Sequence, residues 1–430
     1  MSYPIISLIP GKEAAVGFWH PWVFSGAIDP ASLRAGRART TLSDDLSDGP
    51  AHGDIVHVTD RQGKIIGTGT YSNKSSIAVR VFEFREAVID KEWFIKKLTE
   101  SAGRRDASLP LAKGELGGGS HAERLVFGEA DGIPGLVVDK YADVIVFQIS
   151  TAGLDRMRAD IVAAILEVFA PRAIIERSDI AVRREEGLND VIAIHHGEIS
   201  EPVVFTENGL NFVADVQAGQ KTGFFLDQRD LRTWISTASL RAGRGRPTLS
   251  DDSALGSVLN LFSYSGAAGI AAIKAGAERV HNVDGSVAAL ELCKKHAELN
   301  AIPAETFTTE ISDVFDWLNL NKESHYDTVM IDPPALIKAG RDSEEGKKAY
   351  HFLNRAAMRL VNDGGLFITS SCSHFMNEED MAFMLRRASV QSGIRLDILA
   401  VIRQSSDHPL SVYFPESAYL KSFVCRVARI

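Results

Sequence analysis

The residues with the most chemistry to offer lie late in the chain. Cys372 stands between Ser371 and Ser373, with His374 beyond, and follows the apolar run Leu366-Phe-Ile-Thr. That run reads as a buried strand, so the thiol should project at the strand's carboxyl end. A cysteine is most often a small buried hydrophobe. Cys293, inside the helical stretch Val287–Leu299, and Cys425, in the terminal strand pattern Ser422-Phe-Val-Cys-Arg-Val, fit that description; the polar neighbours of Cys372 set it apart. Three cysteines so far from one another fit neither a disulfide framework nor zinc spacing, so any that matters does so as a thiol, and no metal site is expected. His374 either orients the thiol or is an ordinary loop histidine. Upstream, Asp332-Pro-Pro334 ends another apolar run. Two prolines stiffen such a turn and would pin a carboxylate there, although a plain strand-ending turn also accounts for them.

A second constellation points to a nucleoside cofactor. Ser257-Val-Leu-Asn-Leu-Phe-Ser-Tyr-Ser-Gly266 followed by a small-residue stretch reads as strand, tight turn and helix, and the next strand, Arg279-Val-His-Asn-Val-Asp284, ends in a carboxylate. Glycine at 266 lets the backbone come close to a ligand, and a carboxylate at the tip of the neighbouring strand suits the paired hydroxyls of a ribose. Phe262, Tyr264, Gly266 and Asp284 are therefore candidate cofactor residues. Asp313, in Glu310-Ile-Ser-Asp-Val-Phe, marks a further strand end; it suits either an adenine amino group or the N-cap of a helix over Val314–Leu320. A dinucleotide would call for a GxGxxG triad to seat its pyrophosphate, which this turn lacks, so a ligand without phosphate is the better match.

These residues need elements to hold them. A chain of 430 residues exceeds one ordinary core. Short alternating stretches to about Arg85, such as Asp54-Ile-Val-His-Val and Ser76-Ile-Ala-Val-Arg-Val-Phe, predict a small β barrel. Residues 86–205 mix helical windows (Lys91–Arg104, Leu154–Phe169) with strands (Asp143–Ile149, Ala173–Glu176), an α+β pattern. From about 206 to 430, strands alternate with helices, which predicts an α/β domain with a mainly parallel sheet. One element occurs twice: Ala31-Ser-Leu-Arg-Ala-Gly-Arg-Ala-Arg-Thr-Thr-Leu-Ser-Asp-Asp and Ala238-Ser-Leu-Arg-Ala-Gly-Arg-Gly-Arg-Pro-Thr-Leu-Ser-Asp-Asp. Without apolar period, the copies predict exposed insertions at about 31–50 and 238–256, whether from a mobile coding element or a duplicated loop, and their arginines are discounted as an RNA site. No apolar stretch approaches the roughly 20 residues of a membrane span, and the start lacks a leader pattern, so a cytosolic protein without membrane partners is expected. The net charge of −9 disfavours nucleic acid as a general partner, leaving a local basic surface as the route to it.

With Tyr326-Asp-Thr-Val-Met-Ile-Asp-Pro-Pro-Ala335 and Gly364-Gly-Leu-Phe-Ile-Thr-Ser-Ser-Cys-Ser-His374, the sequence resembles the bacterial large-subunit ribosomal RNA cytosine-5 methyltransferases of the RlmI type. The resemblance runs through nearly the whole chain: His20-Pro-Trp-Val-Phe-Ser-Gly26, Gly53-Asp-Ile-Val, Arg124-Leu-Val-Phe-Gly-Glu-Ala-Asp-Gly-Ile-Pro-Gly-Leu-Val-Val-Asp139, Gln220-Lys-Thr-Gly-Phe-Phe-Leu-Asp-Gln-Arg229, Asp407-His-Pro409, Phe414-Pro-Glu416 and Tyr419-Leu-Lys421. It departs at the two repeat copies, at Ser370, where many relatives carry a second cysteine, and at Gly285, where relatives usually carry a larger residue.

The resemblance implies a PUA-like domain (1–85), an α+β middle domain (86–205) and a class I methyltransferase domain (206–430) using S-adenosylmethionine. It implies Cys372 as the nucleophile that adds to C6 of cytosine and Asp332 as the carboxylate facing the flipped base, either holding the amino edge or taking the C5 proton. It implies Gln228 or Arg229 near the cofactor's methionine carboxylate, with Phe224 or Phe225 as walls. It also implies large-subunit rRNA, naked or partly assembled, as partner, with His20, Trp22 and Arg80 as candidate RNA contacts; a homodimer is compatible with it. Two rival readings stand beside it: methylation of a guanine nitrogen without covalent catalysis, and a non-catalytic RNA-binding assembly factor.

Overall fold

The computed structural model describes residues 3–35, 49–108, 121–238, 255–337 and 342–430. The repeat copies, expected as exposed insertions, lie outside the described residues from 36 onward in the first and from 239 onward in the second. The chain folds into two compact units, one of Met1–Val203, Ala214–Phe224 and Ser406–Ser417, the other of Val204–Val213, Phe225–Ser405 and Ala418–Ile430.

The first unit contains two five-stranded sheets. One is built from Ile5–Ser7, Ile55–Thr59, Ile65–Tyr71, Ile77–Glu83 and Trp22–Phe24, neighbours in that order, and a bridge between Leu8 and Ile28 links the segments beyond its two edge strands. The alternation noted along the sequence sends Val56, Val58, Val79 and Val81 into one core with Ile6 and Val23. The other sheet runs Val191–His196, Ala173–Ser178, Val144–Ile149, Leu136–Tyr141 and Ala122–Phe127. Helices Lys91–Ser108 and Arg158–Phe169 cover it with a core that includes Phe94, Leu98, Leu136, Phe147 and Ile161. The window expected as one helix over Leu154–Phe169 is two, because the Met157 N–H bonds back to the Leu154 carbonyl and closes the first at Arg156.

Several residues of the resemblance have structural work in this unit. Arg105 pairs with buried Asp131 through both carboxylate oxygens, and Arg124 does the same with buried Asp139. The carboxylate of Asp407, itself 2 % exposed, accepts the Arg124 N–H at 3.0 Å and engages His408 Nδ1 at 2.8 Å, while its carbonyl accepts from Arg105. Thr222 closes a similar buried network by donating to Asp139 at 2.6 Å. Buried charges tolerate desolvation only when paired in this way.

The second unit is a seven-stranded sheet in the order Phe307–Ile311, Arg279–Asp284, Ser257–Leu261, Tyr326–Ile331, Val361–Ser371, Lys421–Arg429, Ile394–Arg403. The first five strands are parallel, and Lys421–Arg429 runs antiparallel to both neighbours. Ser257–Leu261 is buried at every position, as a central parallel strand covered on both faces must be. Side-chain caps start two of the helices: Ser286 accepts from Ala289 N–H before Val287–Leu299, and Asn377 from Asp380 N–H before Glu378–Gln391. The order reverses between Ser257–Leu261 and Tyr326–Ile331, and ligands of open α/β sheets bind beyond the carboxyl ends at such a switch point.

Candidate active site

The register of the parallel strands brings the sequence candidates of the second unit to one rim. Leu261 lies opposite Val283 and Ile331, Asp284 opposite Ile311, and Ile331 opposite Thr369, so Phe262, Asp284, Asp332 and Cys372 all follow or end strands along the same edge. The Asp332 N–H reaches back to the Leu261 carbonyl at 3.3 Å, which ties the carboxylate turn to the start of the glycine turn.

That turn is backbone-strained. Phe262 (φ 55°), Tyr264 (φ 47°) and Gly266 (φ 71°) all adopt positive φ, a conformation that costs non-glycine residues on the order of 1–3 kcal/mol and persists where surroundings impose it. Asp284 imposes it in part: one oxygen accepts the Tyr264 N–H and the other the Ser286 N–H, both at 2.8 Å. His296, fully buried, holds the far side, its Nδ1 on the Ser265 carbonyl at 2.9 Å and its Nε2 accepting the Val213 N–H at 2.9 Å; burial pulls its pKa down to about 4. Phe225 packs edge-on against Tyr264 with 5.0 Å between ring centres. The Ser263 hydroxyl is buried with no hydrogen-bond partner, and such an orphan at a ligand turn fits an incoming polar group. Together with the Asp284 carboxylate, this donor and acceptor set suits a nucleoside cofactor.

Glycine at 266 is also required by packing. A Cβ there would lie 2.3 Å from the Cys293 sulfur and 3.2 Å from the Phe307 ring, and the residue adopts positive φ as well. Gly266→Ala is expected to destabilise the fold by about 2 kcal/mol and to weaken S-adenosylmethionine binding at least tenfold through the displaced turn, read by denaturant unfolding and calorimetry.

The other cofactor candidates have partners within the protein. Asp313 is the N-cap of Val314–Leu320, accepting from the Phe315 and Asp316 N–H groups through one oxygen at 2.8 and 3.2 Å. Gln228 donates its amide to Asp332 at 2.5 Å, which places it on the candidate catalytic carboxylate. Arg229 lies 3.4 Å from Glu207, a carboxylate that Arg232 already grips with two nitrogens. Phe224 is buried, with backbone hydrogen bonds to the Tyr141 hydroxyl.

Cys372 is partly exposed just past Ser371, the last residue of its strand, while Cys293 and Cys425 are buried and burial pushes both thiols up to about 12. The loop carrying Cys372 is fixed on each side. Ser371 donates to the Tyr350 hydroxyl at 3.1 Å, and Ser373 donates to the Ile337 carbonyl at 3.0 Å and receives Lys421 Nζ on its own carbonyl at 2.7 Å. Burial pushes Tyr350 up to about 12, with the Cys372 and Asp332 charges adding to the effect. Burial likewise raises Asp332 to about 6, helped by the Asp227 charge and opposed by the Gln228 hydrogen bond. Ser370 is 1 % exposed and shares a 2.7 Å hydrogen bond with Ser422, so the position is internal to the sheet. His374 is exposed, edge-on to Phe375. Sequence reasoning gave no role to Lys421, Tyr350 or Asp227. A lysine opening the apolar run Ser422-Phe-Val-Cys was the available signal for the first, whereas the other two needed the fold.

The RNA candidates lie in the first unit. Trp22 is half-buried, donating Nε1 to Glu129 at 2.9 Å and meeting Phe414 edge-on at 4.8 Å; His20 lies 3.4 Å from Glu416. Arg80 corrects the expectation. It is 7 % exposed and bound at 2.7 Å to Glu186, itself buried, so its guanidinium is spent on a structural pair and not offered to phosphate.

Comparison with known proteins agrees with this geometry. The family model of S-adenosylmethionine-dependent methyltransferases matches residues 188–374, and that of the PUA-like domain matches residues 6–84. The ribosomal RNA large subunit methyltransferase I of Aeromonas salmonicida is 35 % identical over 427 residues, covering 98 % of each chain, and that of Shewanella amazonensis is 34 % identical over 98 % of this chain and 99 % of its own. An S-adenosylmethionine-dependent methyltransferase structure from Streptococcus mutans shares the fold, at 22 % identity and a TM-score of 0.75 over 99 % of this chain and 100 % of that one. Among the described residues no helix is long and apolar enough to cross a membrane. The chain belongs to the family of ribosomal RNA large subunit methyltransferase I, S-adenosylmethionine-dependent enzymes with an N-terminal PUA-like domain.

Proposed function

We propose that this protein forms 5-methylcytosine in large-subunit rRNA through a covalent adduct between Cys372 and C6 of the target base. The observation that carries the reading is a partly exposed thiol in a braced loop at the sheet's carboxyl rim, with a half-buried carboxylate, Asp332, at the end of the adjacent strand. C5 of cytosine is a poor nucleophile, and addition of a thiolate at C6 makes it enamine-like. S-adenosylmethionine, when bound beyond the glycine turn, supplies the electrophilic methyl group. After transfer, loss of the C5 proton expels the Cys372 sulfur by elimination and regenerates the thiolate. Asp332 faces the extruded base, holding its amino edge or accepting that proton, with Gln228 fixing the carboxylate's orientation. The base must leave its stack, at a cost of a few kcal/mol, so a loop or a partly opened helix is the expected substrate.

The reaction draws on three domains, a PUA-like domain over 1–85 with His20 and Trp22 as RNA contacts, a middle domain over 86–205, and the catalytic domain over 206–430. The protein acts in the cytoplasm, where its rRNA substrate is made. Bisulfite mapping of rRNA from cells with and without the gene is expected to reveal one 23S position that loses 5-methylcytosine in the deletion and regains it with the wild-type gene. A methyl group lost from a guanine nitrogen instead would overturn the reading.

A further inference from the structure

Lys421 opens the only strand that runs antiparallel to both its neighbours within the described seven-stranded sheet and is 5 % exposed, yet the chemistry above does not use it. It lies in register with Ser371, the residue before Cys372. Its ammonium donates to the Ser373 carbonyl at 2.7 Å and to the Met376 carbonyl, that is, to two points of the loop that presents the sulfur. An ammonium has three protons, and these two carbonyls account for two. Burying such a charge is costly unless an anion faces it.

We propose that Lys421 is the counter-ion of the Cys372 thiolate and, through its two carbonyl contacts, the residue that fixes the height of the sulfur at the rim. The role rests on the reading of Cys372 as nucleophile. Burial pulls Lys421 down to about 8, and the charges that oppose this fall are those of Cys372 and of Glu378, at the start of the helix Glu378–Gln391. The coupling is reciprocal, so a thiolate that favours the ammonium is itself favoured by it. Of the other described groups, Tyr350, on the helix Ser343–Met358, is pushed up to about 12 and stays neutral, Asp332 adds negative charge at the end of Tyr326–Ile331, and His374 faces solvent. The proton given up by Cys372 passes to solvent, to which the sulfur is partly open.

Iodoacetamide labelling of the full chain against pH, with the labelled peptide quantified by mass spectrometry, reads the ionisation of Cys372 without requiring methyl transfer, because Cys293 and Cys425 are buried. Lys421→Met should move the labelling midpoint up by about one pH unit and cut the rate at pH 7 about tenfold, whereas Lys421→Arg, which keeps the charge, should stay closer to wild type. An unchanged midpoint in Lys421→Met, or the same shift in both variants, would overturn the proposal. Should Lys421→Met fail to fold by circular dichroism, the reciprocal measurement stands: in Cys372→Ser, the titration of 13C-labelled Lys421 should move to lower pH, and an unmoved titration overturns it. A wild type that gives the expected midpoints but no covalent adduct with 5-fluorocytidine RNA would keep the ion pair and remove the nucleophile.

Discussion

Cys372→Ala is expected to lower the methylation rate by on the order of 10⁴ or more, to lower stability by no more than about 1.5 kcal/mol, the size of a one-unit coupling to Lys421, and to abolish a covalent complex that the wild type forms with 5-fluorocytidine RNA. The size of the first effect follows from the chemistry, since without addition at C6 there is no enamine at C5 to accept a methyl group, and no neighbouring residue can replace the sulfur: Ser371 and Ser373 point their hydroxyls into hydrogen bonds with Tyr350 and the Ile337 carbonyl. The small stability effect follows from the partial exposure of Cys372, beyond the end of its strand. The adduct follows from the final step. Fluorine at C5 cannot leave as a proton does, so elimination stops and the C6–sulfur bond survives denaturation. Gel electrophoresis under denaturing conditions separates the outcomes. Methylation that continues in Cys372→Ala at an undiminished rate, or an adduct formed equally by the variant, would sink the covalent reading. Calorimetry on the same variant should find S-adenosylmethionine binding unchanged, because the glycine turn is held by Asp284 and His296 and not by the sulfur loop.

How much of this arrangement was legible beforehand differs between backbone and side chains. The helices Val287–Leu299 and Val314–Leu320 and the strand Arg279–Asp284 have the bounds expected from period and capping residues. Such elements are fixed locally, by Ser286 and Asp313 as caps and by apolar runs that only a covered parallel strand accommodates. The rim location of Asp332 and Cys372 was legible for the same reason, since it needs only that both follow parallel strands. Partner choice was not. That Gln228 meets Asp332, and whether Arg80 meets RNA or Glu186, depends on residues roughly a hundred positions away in the chain. A basic side chain in a strand looks alike in sequence whether it faces phosphate or a buried glutamate. Gly266 marks an intermediate case: the need for glycine could be read, but one cause of it, the Cys293 sulfur under the turn, lies on another element.

Asp332→Asn is the second large effect, and it should separate activity from stability in opposite directions. The Asp332 carboxyl has a folded-state pKa raised to about 6 by burial and by the Asp227 charge, above its unfolded value near ~3.9. A raised carboxyl binds its proton more tightly in the native state, so the folded protein loses stability as pH rises from about 4 through 6 and bears the full penalty above that window. Asparagine carries no such charge and can still accept the Gln228 amide on its carbonyl oxygen. The variant should therefore be more stable than wild type at pH 7.5, by about 2 kcal/mol, a value reduced from the full shift because Asp332 keeps an opening to solvent. Below pH 4 the two should unfold alike. Its methylation rate at pH 7.5 should nevertheless fall by about 10²-fold or more, since a neutral amide can neither take the C5 proton nor hold the amino edge with a full negative charge. Urea unfolding at pH 4 and 7.5, paired with single-turnover methylation, tests both halves. A variant less stable at pH 7.5 would mean that the carboxylate is held by favourable contacts after all, and one with wild-type turnover would remove Asp332 from the chemistry. Gain of stability together with loss of rate is the signature of a charge kept in an unfavourable place because the reaction uses it.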